Sequence, residues 1–134
     1  MELKDIRWKQ RFENFQKAFL VLKNSVQQKN YTPLEASGLV KAFEFTFELA
    51  WKTLKDFLEA NGVDTKTPRE VIKQAFSSDI IKDGHTWMIM LEIRNELSHT
   101  YDESEANKAV NIIKEHYYRA IEQVFETLGK NIND

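Results

Sequence analysis

Thr32-Pro33-Leu34-Glu35 opens the stretch that decides the fold, and Asn61-Gly62 closes it. A hydroxyl at the N-cap, a proline in the first turn and a glutamate at N3 make a capping box, and Gly62 stands where a C′ glycine ends a helix. The spacing predicts one long helix from Thr32 to Asn61 whose main apolar stripe is Val40, Phe43, Phe47, Ala50, Leu54 and Phe57. Phe45 and Leu49, one turn apart, point to nearly the opposite side. A helix with two apolar faces has two partners, so this second patch is expected either to self-associate or to lie beneath another helix. Between the faces runs a ladder of Glu44, Glu48 and Lys52. Glu48 before Lys52 is favourable by a few tenths of a kcal/mol, and Glu44 beside Glu48 is unfavourable by about as much. A cation from elsewhere in the chain would relieve the two carboxylates, with Arg94 as the candidate, unless both are simply hydrated.

On the N-terminal side, Phe12, Phe15, Phe19, Leu22 and Val26 recur three and four apart, predicting a first helix over about Asp5 to Gln28 with this row in the core. On the C-terminal side, Thr67-Pro68-Arg69-Glu70 repeats the capping signal and opens a short helix to about Ser78 that carries Val71, Ile72, Ala75 and Phe76. Asp83-Gly84 reads as a turn, followed by a helix from about His85 to Ser98 or slightly beyond. The acidic run Asp102-Glu103-Ser104-Glu105 suits the positive end of a last helix whose stripe is Ala106, Val110, Ile113, Tyr117, Ala120, Val124 and Leu128, with Gly129 as its stop. Nothing alternates with period two over a useful length. The expected architecture is an all-α, antiparallel up-and-down four-helix bundle with one additional short helix, and residues 1–134 form a single helical domain.

Composition narrows the function classes. Four glycines and two prolines favour a few long helices over many short strands, and the absence of cysteine rules out a disulfide framework and a thiolate metal site and fits a reducing cytoplasm. The N-terminus lacks a secretory pattern, and no apolar run approaches the ~20 residues that cross a bilayer, so no membrane association is expected. The net charge of −2 is uneven. Residues 1–55 hold ten Lys/Arg against six Asp/Glu, and residues 56–134 hold nine against fifteen, so any nucleic-acid contact must be local.

The chemistry-bearing stretch is Arg94-Asn95-Glu96-Leu97-Ser98-His99-Thr100-Tyr101, directly after the apolar run Trp87-Met88-Ile89-Met90-Leu91-Glu92-Ile93. At roughly 100° per residue, Arg94 falls in the apolar sector with Trp87, Met90, Leu91 and Leu97, whereas His99 lies about 140° away from it. A guanidinium aimed into an apolar sector needs a partner there or has a use there. On residue types alone, a buried ion pair and a capping histidine would account for both groups. The spacing of Arg94, His99 and Tyr101, however, resembles the signature of the HEPN superfamily of small helical nucleotide- and RNA-associated domains. More narrowly it resembles the nucleotidyltransferase substrate-binding subunits, whose close relatives are HepT-like toxins. The segment from Phe43 to Lys55 resembles the second helix of that subfamily, and the two stretches stand in the expected order.

The resemblance implies an endoribonuclease that works without a metal. RNA carries its own nucleophile, so such an enzyme needs a base for the 2′-hydroxyl proton and a cation for the charge growing on the phosphate. His99, with an unperturbed pKa near 6.5, fits the first task, and the fork of Arg94 fits the second. On one ideal helix the two cannot meet at one phosphate. Either the helix loosens by Ser98, or two chains contribute across a two-fold axis; relatives in this superfamily look like dimers whose paired motifs share a cleft, so the resemblance implies a homodimer or higher even oligomer with a composite cleft. Asn95, one turn before His99, orients the imidazole unless it is an exposed amide. Ser98 adds a phosphate contact unless it bonds back to a carbonyl. Tyr101 is the position that HepT-like relatives offer as acceptor for AMP, transferred by a minimal nucleotidyltransferase that acts as antitoxin. That transferase must be a separate polypeptide, encoded nearby, because no Gly-Ser loop with paired aspartates occurs in this chain.

His85, His99 and His116 lack the spacing of a helical zinc site, so no metal is expected, and no phosphate-cradling glycine loop or other cofactor motif appears. The readings that remain are a ribonuclease toxin silenced by its transferase, a non-catalytic subunit holding nucleotide or substrate for that transferase, and a bare dimerisation module. The last leaves Arg94 unexplained.

Overall fold

The computed structural model describes residues 2–94, 96 and 103–133, and among these residues every regular element is helical. The expectations for Asn95, Ser98, His99 and Tyr101 lie outside the described residues. The helices are α1 (Leu3–Ser25), α2 (Pro33–Ala60), α3 (Pro68–Ser77), α4 (Gly84–Ile93), α5 (Glu103–Ile112) and α6 (Tyr118–Lys130). A π turn, Ile113–Tyr117, joins α5 to α6 without a break, so the three pieces act as one long helix.

The all-α bundle is the expected one. α1 and α2 run antiparallel: Trp8 packs edge-on against Phe57, Arg11 Nε donates to Asp56 Oδ2 at 2.9 Å, and Thr46 Oγ1 donates to the carbonyl of Ala18 at 3.2 Å. α6 is antiparallel to α1 in turn, with Phe125 stacked on Phe12 and Tyr118 stacked on Phe19. Phe43 and Phe47 of α2 are fully buried, the first against Tyr117 of the π turn and the second against Trp87 of α4. Each such side chain taken out of water contributes about 1.5–3 kcal/mol. Removing them would dissolve the centre on which α2, α4 and the π turn converge.

The ends of α2 follow the sequence. Thr32 Oγ1 accepts from Glu35 N at 3.1 Å, Glu35 Oε1 accepts from Thr32 N at 3.0 Å, and the backbone makes a left-handed turn at Gly62, φ +86°. With Gly62 N bonded to the Glu59 carbonyl and Val63 N to that of Leu58, the terminus is a Schellman motif, which only a residue at ease with positive φ closes without strain.

Other local expectations are corrected. At α3 only half of the capping box forms: Thr67 caps Glu70 N, but Glu70 Oε2 accepts from Lys66 N rather than from Thr67. Phe76 is 53% exposed, not core; its ring lies over Gly84, where a Cβ would come within 2.8 Å of it. Gly84 is not a turn residue but the first residue of α4, capped by Asp83. Gly129 does not stop the last helix, which continues to Lys130. Of the second face of α2, Leu49 is partly buried against the core and Phe45 alone stands out, 63% exposed.

Candidate active site

Three turns of α2 place Lys41, Glu44 and Glu48 on one side by their spacing of three and four, with Phe45 beside them. The C-terminal end of α4 delivers Arg94 to the same place. Together the five residues line an open depression of about 270 Å³. Across Phe45 lies a second depression, of about 210 Å³, between α1 and α2, lined by Lys17, Ala18, Val21, Ala42 and Thr46 as well as Phe45. The Phe45 ring is the wall the two share.

Helical hydrogen bonding in α4 ends at Ile93. Glu96 N returns to the Ile93 carbonyl at 2.8 Å, a tighter turn than an α-helix makes. Arg94, the cation expected to relieve the two carboxylates, reaches one of them: its Nε lies 3.4 Å from Glu48 Oε1. The other oxygen of Glu48, Oε2, accepts from the Trp51 indole N–H at 2.9 Å. Lys52, the expected helical partner of Glu48, instead holds its ammonium 6.0 Å from the centre of the Trp51 ring. Glu48 is thus fixed by an indole on one side and a guanidinium on the other.

The ion pair itself contributes little to stability. The Arg94 and Glu48 side chains keep 26% and 36% of their surface, and exposed pairs of this kind contribute about 0–1 kcal/mol. Meanwhile Arg94 Nη1 and Glu44 Oε1 are buried and have no hydrogen-bond partner among the described residues. A buried polar atom left without any partner would cost about 1–3 kcal/mol. Two cations and two carboxylates balance formally in the depression.

Of the predicted residues, the structure brings together Arg94, Glu48 and Glu44. Lys41 and Phe45 were missed as site residues, although 41, 44 and 48 share a helix face and their spacing carried that signal. Among the described residues no group of His, Asp and Glu is arranged to hold a metal ion, and no helix is long and apolar enough to cross a membrane. His85 and His116 are exposed.

A probable ribonuclease HepT from Haemophilus influenzae is 29% identical over 75 residues, 52% of this chain and 51% of that protein, so the chain spans about half the length of the curated relative it matches. A crystal structure of a protein from Thermus thermophilus superposes with a TM-score of 0.75 at 28% identity, over 87% of this chain and 97% of that one. Residues 10–130, from the first turns of α1 to the last residue of α6, match the family described as nucleotidyltransferase substrate binding protein like. The chain belongs to that family, and its Arg94 depression lies inside the matched region.

Proposed function

We propose that this chain is the HEPN-type partner of a minimal nucleotidyltransferase, and that it acts as an endoribonuclease toxin silenced by AMP transfer to Tyr101. The observation that supports this reading is the guanidinium of Arg94: it is carried by the end of α4 to an open depression and tethered there by a single long contact, with one buried nitrogen unpaired among the described residues. His99 is the base. It takes the 2′-hydroxyl proton, the 2′-oxygen attacks phosphorus, and the bond to the 5′-oxygen breaks as a cyclic phosphate forms. The 5′-oxygen leaves with a proton returned by an imidazolium. Arg94 balances the negative charge on the phosphoryl oxygens during this passage. Asn95 orients His99, Ser98 adds a phosphate contact, and no metal or cofactor enters any step. Two copies pair so that both motifs face one cleft, and AMP on Tyr101 fills that cleft with a bulky anion.

A second reading, a non-catalytic subunit that binds nucleotide or substrate for the transferase, draws support from Glu44 and Glu48. Carboxylates lining the depression oppose a polyanion more than they oppose one small nucleotide. Expression of the chain alone separates the two readings. Growth arrest with RNA cleavage, both lost in His99→Ala and Arg94→Ala, is the expected result. Harmless expression with tight binding to the transferase would replace the toxin by the subunit. Intact-mass measurement after co-expression is expected to show one AMP increment that disappears in Tyr101→Phe, and light scattering at micromolar concentration is expected to report a dimer.

A further inference from the structure

We infer that Phe45 is a stacking platform for one nucleobase, and that the two depressions it separates hold a single nucleotide unit, base on one side and ribose phosphate on the other. The inference deepens the proposed function and rests on its nucleotide chemistry. A phenylalanine in mid-helix that is 63% exposed gains nothing from the core of its own chain. One side of its ring opens on Val21 and Ala42, an apolar surface on which a flat aromatic ligand would lie, with Val21 itself 59% exposed. The other side opens on Lys41, Glu44, Glu48 and Arg94.

Charge decides the ligand class. A bare phosphate would meet two carboxylates along with its two cations, and an apolar side chain would answer neither Lys41 nor Glu44. A ribose phosphate supplies both kinds of partner, anionic oxygens for Arg94 and Lys41 and hydroxyl donors for the Glu44 carboxylate. Lys17, at the rim of the apolar depression, is placed to meet the next phosphate of a chain. The nucleotide unit has two sources, a residue of single-stranded RNA or a free mononucleotide, and the site recognises the same chemistry in either.

The test measures binding by residues 1–134 in the His99→Ala background, which leaves RNA uncut. The probes are a fluorescent single-stranded RNA, its DNA counterpart and free AMP. Phe45→Ala is expected to weaken RNA binding about 5- to 100-fold, the range that loss of one base–aromatic stack produces. Phe45→Leu should weaken it as much, and Phe45→Trp should preserve it. DNA should bind about tenfold more weakly than RNA, a gap that Glu44→Leu removes because the ribose hydroxyl has lost its acceptor. If AMP alone shows the dependence on Phe45, the free nucleotide is the source; if RNA alone does, the polymer is.

RNA and AMP affinities unchanged in both Phe45→Ala and Phe45→Leu would overturn the platform. So would full affinity in Phe45→Leu together with a dimer that Phe45→Ala dissociates, because the ring would then be a contact between copies. Cleavage of RNA by the wild type regardless of Phe45 leaves the ribonuclease standing and removes the platform. Absence of cleavage with Phe45-dependent AMP binding does the reverse.

Discussion

Glu48 accepts two donors of different origin, the Trp51 indole from its own helix and the Arg94 guanidinium from the end of α4. A carboxylate held at both oxygens has little freedom, so it sets where the guanidinium stands, and Trp51 acts on Arg94 through it. Stability and activity are therefore expected to part company here. Arg94→Ala should lower unfolding free energy by no more than about 1 kcal/mol, because the pair is partly exposed and the buried Nη1 is removed with it. The same change should abolish RNA cleavage. Trp51→Phe should reduce cleavage several-fold with a stability loss of about 1 kcal/mol, the ordinary worth of one hydrogen bond. Urea denaturation beside a cleavage assay checks both variants. A loss of more than about 3 kcal/mol in Arg94→Ala would make the residue an anchor of the fold.

At the scale of elements, each helix carries its own start and stop, and two of these ends give measurable expectations. α3 ends in the same Schellman geometry as α2, with Ile80 N bonded to the Ala75 carbonyl, but the left-handed residue is Asp79 at φ +66° rather than glycine. An L side chain in that region is strained by about 1 kcal/mol. Asp79→Gly should therefore raise stability by several tenths of a kcal/mol, net of the exposed Asp79–Lys82 pair it deletes, and thermal melting checks the sign. At the start of α4, the hydroxyl of Thr86 and then its backbone N–H donate to Asp83 and hold that carboxyl below the usual carboxylate range. A folded pKa lower than the unfolded one stabilises above the unfolded value, and the benefit fades as pH falls through the folded one, below about pH 4. Asp5, Glu35 and Glu59 are lowered as well, so the whole protein should lose stability in that acid window. Asp83→Asn keeps a capping oxygen that does not titrate. The stability difference between wild type and this variant should shrink between about pH 5 and 3 and stay level from about pH 6 to 8.

For the molecule as a whole, one ring does most to join the first helix to the last. Phe125 stacks on Phe19 at 4.3 Å between centroids and on Phe12 at 5.4 Å, and meets Phe15 edge-on at 5.6 Å. Phe125→Ala should cost about 3 kcal/mol, read as a shift of the denaturation midpoint at unchanged slope. Phe125 lies beside the predicted stripe of the last helix rather than on it, and the π turn at Ile113–Tyr117 left no mark in the apolar spacing. By itself the sequence determined the helices, most of their caps, the buried rows of α1 and α2, and the intrusion of Arg94, since all of these are written in side chains no more than four residues apart. The tertiary structure decided that Glu48 turns to Arg94 and not to Lys52, that Leu49 is tucked against the core while Phe45 stays out, and that Phe76 lies over Gly84. Those choices depend on which neighbours the packed bundle brings within contact distance. A partner from another helix competes with a local one only once folding has fixed both, and no periodicity along the chain encodes the outcome.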